Sequence, residues 1–240
     1  TLTAIGTNAF KGCTALVDIN FPNAITTIND NVFNGCTSLN EDVNLPNLTS
    51  LGLGAFYGSG IKSFKADILE SVAGNNNTNS TFVNCKQLEI INLPSIKTIG
   101  ASSFYGCTAL KNINISTVES IGTSAFDGCT SLVGEIYLPN LVGTLPTSVF
   151  KGTAITSFNA PKLTGIQGVN AANSAFTNCN SLQEVILDSV QTVGPYIFQN
   201  ITSLTKISID NVKEISQNAF YGCTNLEIEE LNLPNLETLG

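Results

Sequence analysis

Apolar residues return along this chain at fixed places in a unit of 22 to 26 residues, and each place keeps its own residue type. One stretch of the unit alternates. In Leu16-Val17-Asp18-Ile19-Asn20-Phe21-Pro22 and in Leu110-Lys111-Asn112-Ile113-Asn114-Ile115, the fourth and sixth residues are apolar and their flanking neighbours polar. A period of two is that of a strand with one face buried and the other outward. Pro closes this main strand in six units, at Pro22, Pro46, Pro94, Pro139, Pro161 and Pro234, because a residue without an N–H cannot sit in mid-ladder. A shorter apolar pair follows, as in Ile96-Lys97-Thr98-Ile99-Gly100 or Val118-Glu119-Ser120-Ile121-Gly122, and predicts a second, shorter strand. Small polar residues then lead to a Phe, where the spacing predicts one helical turn. Two places after the Phe stands Gly seven times and Asn three times, the residues that best tolerate the left-handed conformation ending such a turn.

The Phe heads ten copies, at Phe10, Phe33, Phe56, Phe82, Phe104, Phe126, Phe150, Phe176, Phe198 and Phe220. No unit of this length buries its own Phe, Leu and Ile, so neighbouring units must stack and share them, which predicts a solenoid. Residues 1–240 then form one array rather than several cores, and ten coils at ~4.8 Å give a body roughly 50 Å long. A longer period overlies the first. Phe10 to Phe104, Phe56 to Phe150, Phe82 to Phe176, Phe104 to Phe198 and Phe126 to Phe220 are each 94 residues apart, and the irregular units recur with them. Gly58-Ser59-Gly60-Ile61 and Gly152-Thr153-Ala154-Ile155 both lack the usual Cys, and both precede a long unit carrying an insert, at 73–80 and 168–173. A duplicated block of four units is the simplest account. It sets both inserts, expected to be flexible, on one edge about four coils or ~19 Å apart.

Seven units carry Cys three places after the Phe: Cys13, Cys36, Cys85, Cys107, Cys129, Cys179 and Cys223. Stacking lines them in one interior column, and Ser59, Thr153 and Ile201 fill the same slot elsewhere. Seven buried, reduced thiols are therefore expected in place of a disulfide framework.

Composition narrows the function. The chain has a net charge of −8, ten Lys and no Arg, so it offers neither the basic face nor the guanidinium forks of nucleic-acid binding. An anionic membrane surface is disfavoured for the same reason, and no apolar run is long enough for a membrane helix. His is absent, which removes Ser–His and Cys–His nucleophilic machinery and, with no CxxC pair, the usual metal sets. No cofactor is expected. The chain has no Met, and it opens and closes in mid-repeat, so it is expected to be a piece of a longer, processed protein. Sequons stand at Asn47, Asn76, Asn79, Asn114 and Asn200.

What remains is surface chemistry. Outward places on the main strand align Asp18, Asp42, Glu135, Glu184 and Glu230 in one column. The neighbouring column holds Asn20, Asn44, Lys65, Asn92, Asn114, Tyr137, Asn159, Ile186, Ser208 and Asn232. The carboxylates are either a solvated acidic face or, where Asp18 and Asp42 meet in adjacent coils, an acid–base pair or weak cation site. The Asn column is either a polar binding surface or an amide ladder that keeps the sheet soluble. Tyr57, Tyr105 and Tyr221, each following its Phe, are candidate surface contacts.

The full unit, Leu-x-x-Ile-x-Leu-Pro-x-Leu-x-x-Ile-Gly-x-x-x-Phe-x-Gly-Cys-x-x-Leu, resembles the BspA-like, Treponema-type leucine-rich repeat, nearly complete from Leu88 through Leu110. The resemblance covers essentially the whole chain; the missing Cys in three units and missing Pro in four are departures of local packing. It implies an α/β repeat solenoid: a right-handed leucine-rich-repeat coil, mainly β with short helical turns. It also implies a cell-surface or extracellular protein that has lost a leader. The function implied is non-enzymatic adhesion to a host or neighbouring-cell macromolecule, an extracellular matrix protein among them, by a monomer. The contact face expected is the concave main sheet, through Asp18, Asn20, Asp42, Asn44, Asn92, Asn114, Glu135, Tyr137, Glu184 and Glu230. The alternatives are a contact edge at the two inserts, a stalk that holds another domain outward, and a carbohydrate-active enzyme using paired carboxylates.

Overall fold

The computed structural model describes residues 1–227 and 233–240, which wind into a stack of coils. Nineteen short strands, numbered along the chain, fall into two sets. The main strands are β3 (Asp42–Asn44), β5 (Ser63–Lys65), β7 (Ile90–Asn92), β9 (Asn112–Asn114), β11 (Val133–Tyr137), β13 (Ala154–Asn159), β15 (Glu184–Ile186) and β17 (Lys206–Ser208). The second set is β1 (Ala4–Ile5), β2 (Thr27–Ile28), β4 (Ser50–Leu51), β6 (Ser71–Val72), β8 (Thr98–Ile99), β10 (Ser120–Ile121), β12 (Gly143–Leu145), β14 (Leu163–Ile166), β16 (Thr192–Val193), β18 (Glu214–Ile215) and β19 (Thr238–Leu239). Every pairing is parallel and joins one coil to the next, as a solenoid demands. Alternation decides the facing: Val43, Phe64, Ile91, Phe158 and Val185 point inward and are buried, and their strand neighbours point out.

No helix forms among the described residues, which corrects the helical turn expected at each Phe. That segment is a run of turns with a left-handed residue on either side of the Phe. Two places after it, Gly or Asn has φ between 57° and 78° in all ten units. Two places before it, eight units also have a left-handed residue, including Asn8, Asn31, Ser102, Ser124, Ser148 and Asn218. Donors consequently alternate in direction. Tyr105 and Cys107 donate backwards within the coil, to Ser102 and Phe104 carbonyls, while Phe104 and Gly106 donate to Ala125 and Asp127 of the next coil. A helical turn would keep its N–H groups to itself; this arrangement makes the third side of the coil a hydrogen-bonded ladder as well.

The ten Phe rings stack through the interior, with centroids 5.1 to 6.0 Å apart and planes within 23° of parallel. The widest steps, 5.6 Å at Phe56–Phe82 and 6.0 Å at Phe150–Phe176, are those spanning the long units. Phe64 and Phe158, 94 residues apart, wedge against these two pairs from the main strand.

The thiols do line one column, but not all of it is shielded. Cys36, Cys85, Cys107, Cys129 and Cys179 are buried, Cys223 is half-buried and Cys13, in the first unit, is exposed. All seven are free. Each from Cys36 onward donates its S–H to the carbonyl of the signature Phe one coil back, at 2.9 to 3.1 Å. Burial raises Cys36 and Cys223 from the ordinary value of 9.0 to about 11 and Cys179 to about 12, and it holds Cys107 and Cys129 well above that value. The slot thus favours a small apolar group with one weak donor, which is what a thiol is.

The main ladder has a gap. It runs β3-β5-β7-β9 and, separately, β11-β13-β15-β17, and Leu16–Phe21, expected as the first main strand, joins no ladder. Both breaks precede a coil with one extra residue: Val43 comes four places after Leu39 and Ile136 four after Leu132, where Ile91 follows Leu88 by three. In the second case Gly134, at φ 85°, carries the bulge, and the register with β13 slips between Gly134 and Glu135. The centre of the strand before each gap, Ile19 or Ile113, is only half-buried, and so is Ile207 another 94 residues on.

Candidate functional site

The main-sheet register sets the outward columns. Asp42, Ser63, Ile90 and Asn112 lie in line, beside Asn44, Lys65, Asn92 and Asn114. Past the gap, Glu135, Ser157, Glu184 and Lys206 continue the first column and Tyr137, Asn159, Ile186 and Ser208 the second. Within each ladder the columns read from the sequence are those of the structure; Glu230 and Asn232 lie outside the described residues.

The structure gathers the candidate residues into groups. Asp18 and Asn20, on the unpaired segment, meet Asp42 and Asn44 of β3 around an open groove of about 460 Å³. Asn92, Asn114 and Glu135 border a second groove of about 330 Å³ at the break between β9 and β11. Tyr137 stands beyond it, 49% exposed, and Glu184 is engaged elsewhere, 2.7 Å from Lys206 Nζ. The sheet face is thus less acidic than its sequence suggests, since Lys65 pairs with Asp67 at 3.3 Å and Lys111 with Glu89 at 2.9 Å. Ion pairs this exposed contribute at most about 1 kcal/mol each; their effect is to cancel charge locally.

Asp42 accepts a hydrogen bond from Ser63 Oγ at 2.7 Å, and both Asp18 and Asp42 are exposed. Asp127, on the turn beside Phe126, is a different case: burial raises its carboxyl, opposed by Lys151 Nζ at 3.8 Å. It lies on the turn side of the coil, away from the sheet.

An amide ladder exists, but one corner away from the Asn column. Asn47 Nδ2 donates to the Asn23 carbonyl at 2.9 Å and Asn211 Nδ2 to that of Asp188 at 2.6 Å, just past the strand ends. In the column itself Lys65 separates Asn44 from Asn92, and no side-chain hydrogen bond joins Asn92 to Asn114. Asn114 accepts only a long bond from Ser116, at 3.4 Å. The outward amides keep their capacity unspent.

The two inserts are built alike and are not loose. Ser80 is fully buried; its one hydroxyl proton is shared between the Asn76 and Ala101 carbonyls, at 2.7 and 2.8 Å from Oγ, and Oγ accepts from the Asn75 N–H. Ser174, 94 residues on, does the same with the Asn170 and Pro195 carbonyls. Asn76 and Asn170 each cap their own loop by accepting from the N–H two residues ahead. Tyr57 and Tyr105 are half-buried on the turn side, and Tyr221 is exposed.

Sequence reasoning passed over the apolar side of the second groove. Ile90 and Val133 are 47% and 54% exposed beside the half-buried Ile113. The signal was present as the extra residue after Leu132, which a count of Leu-to-Ile spacing reveals.

The family model of the BspA type leucine rich repeat region matches residues 1–76, 75–171 and 169–240, in six copies. No curated protein matches the chain. Among solved structures, a leucine-rich repeat protein of Bacteroides ovatus is similar at 23% identity and a TM-score of 0.56, over 94% of this chain and 69% of its own. A leucine rich cell surface protein of Faecalibacterium prausnitzii matches at 22% identity and a TM-score of 0.41, over 100% and 70%. A leucine-rich repeat protein of Eubacterium ventriosum matches at 17% and 0.47, over 98% and 77%. The likeness to the Bacteroides protein is one of fold. Repeat by repeat, in residues and in structure, the chain belongs to the BspA-type leucine-rich-repeat family.

Proposed function

We propose that this solenoid is a non-enzymatic binding module of the cell surface or extracellular space, which attaches to a macromolecule of a host or neighbouring cell. Its partner is a protein, extracellular matrix proteins included, and the contact face is the outward side of the main sheet. The observation that carries this reading is the unspent Asn column. Asn44, Asn92, Asn159 and Tyr137 have no side-chain hydrogen bond within the protein among the described residues. The ladder that carries these amides is fixed by backbone bonds, so no backbone ordering is required when a partner occupies them. The inserts, pinned by Ser80 and Ser174, are a rigid edge and the competing surface.

The test is binding of the purified chain to a panel of matrix and surface proteins, with two variants compared. One carries Asn114→Ala and Tyr137→Ala; the other has both inserts cut to the common unit length. Loss of binding in the first variant is the expected result. Loss only in the second would move the contact to the inserts, and no binding to any panel member would favour a stalk.

A further inference from the structure

We infer that the two gaps in the main sheet are paired docking points for an extended polypeptide that carries Lys or Arg about six residues apart. This rests on the binding-face reading above and adds the chemistry of the partner. Each gap lets the core reach the surface at one Ile: Ile19 in the first, Ile113 in the second, 94 residues apart. Each has an exposed carboxylate on its far lip, Asp42 or Glu135, three places after Leu39 or Leu132. Neither carboxylate has a Lys partner among the described residues. Away from the gaps, Glu89 and Glu184 on the same face are both paired, with Lys111 and Lys206. The first groove adds Asp18 and Glu41 and has no Lys on its walls; Lys111 borders the second but is held by Glu89 at 2.9 Å.

An apolar floor beside an unpaired carboxylate selects its occupant. A purely apolar side chain would cover the carboxylate and leave its charge without a counter-charge. A bare cation would gain nothing from the Ile. The side chain of Lys or Arg meets both, its methylene stem lying on the Ile and its charged head at the acid. The main chain of such a segment finds donors and acceptors in Asn20 and Asn44 at one groove and in Asn112 and Asn114 at the other. Four coils separate the grooves, ~19 Å along the stack, and an extended chain at ~3.3 Å per residue covers that in about six residues. Two weak contacts on one strand then reinforce each other through their high effective concentration, and the net charge of −8 favours a basic partner throughout.

The probes are fluorescein-labelled Ser/Gly/Thr peptides, read by anisotropy against the whole chain. One bears two Lys about six residues apart; the others bear two adjacent Lys, one Lys, or two norleucines at the wider spacing. The spaced Lys peptide should bind at least about tenfold tighter than the adjacent one. Asp42→Asn and Glu135→Gln should each reduce it to the level of the single-Lys peptide, whereas Glu184→Gln should leave it within about twofold. Equal binding of spaced and adjacent peptides, or an equal loss in Glu184→Gln, means diffuse attraction to an acidic face and overturns the inference. Equal binding of the norleucine peptide overturns it in favour of an apolar occupant. If a panel protein binds through Asn114 and Tyr137 but ignores Asp42→Asn and Glu135→Gln, the gaps play no role and the binding-face reading survives alone.

Discussion

Phe126→Ala separates the forces that hold this stack together. Phe126 is fully buried and stacks on Phe104 at 5.3 Å and on Phe150 at 5.5 Å, each within 4° of parallel. Burial of a Phe side chain contributes about 1.5–3 kcal/mol, and each aromatic contact about 0.5–1.5 more. Truncation leaves a cavity between the flanking rings that the stack closes only in part, so a loss of about 3–5 kcal/mol is expected. The site matters as much as the size. Between the coils of Phe104 and Phe126 both strand ladders are broken, β9 from β11 and β10 from β12. The backbone crosses there chiefly on the turn ladder, helped by the Cys129 thiol at 3.1 Å from the Phe104 carbonyl and a long bond from Val142 to Glu119 at 3.4 Å. Removing the ring should uncouple the halves and split unfolding into two steps. Phe198→Ala is the comparison: the same ring, stacked at 5.5 and 5.2 Å, but in a coil joined to that of Phe176 by both strand ladders. It should lose similar stability in one transition. Guanidinium unfolding followed by circular dichroism and by hydrogen exchange reads both quantities. A single transition in Phe126→Ala, coincident by both probes, would refute the reasoning, and a loss below about 1 kcal/mol would show that the Phe column is not the core.

Native thiol titration near neutral pH should find Cys13 reactive, Cys223 slow, and the other five silent until the chain is denatured; disulfide-linked peptides in a non-reducing digest would contradict it. Stability should fall on the alkaline side. The thiols hold their protons in the fold up to about 11 for Cys36 and about 12 for Cys179, against 9.0 when released, so their contribution is whole below pH 9 and is lost as pH climbs towards the folded values. Each such thiol costs at most about 1.4 kcal/mol per pH unit, and replacing Cys36, Cys107, Cys129 and Cys179 by Ala should flatten that limb. Ser80→Ala and Ser174→Ala should each cost about 1–3 kcal/mol by stranding buried carbonyls, with faster hydrogen exchange confined to the insert concerned; unchanged exchange would mean that the hydroxyl does not hold the loop.

Sequence periodicity resolved whatever repeats in every coil. The Phe and Cys columns, the inward and outward sides of the main strand, and the alignment of Asn44 with Lys65, Asn92 and Asn114 all follow from residue type at a fixed place. What it missed arises between coils. The segment before each Phe looks helical because small polar residues suit a helix start as well as they suit left-handed turns; only the ladder to the next coil, as from Phe104 to Ala125, decides between them. The gaps at Ile19 and Ile113 come from one extra residue in the following coil, whose effect is a register and not a composition. The inserts read as flexible because Asn and Gly dominate them, while the one residue that pins each, Ser80 or Ser174, is a common type in an uncommon place.

The bonds between coils all run along the stack, and this sets its response to force. A pull on the two ends loads each ladder lengthwise, so coils peel away singly instead of sharing the load in shear. Each coil that yields releases 22 to 26 residues, about 75–90 Å of extended chain in exchange for one coil spacing. Under tension such a protein lengthens stepwise and spends work at every step, beginning at the joint between β9 and β11 where two of its three ladders are already open. Stepwise yielding under load, coil after coil, is the mechanical character of this stack.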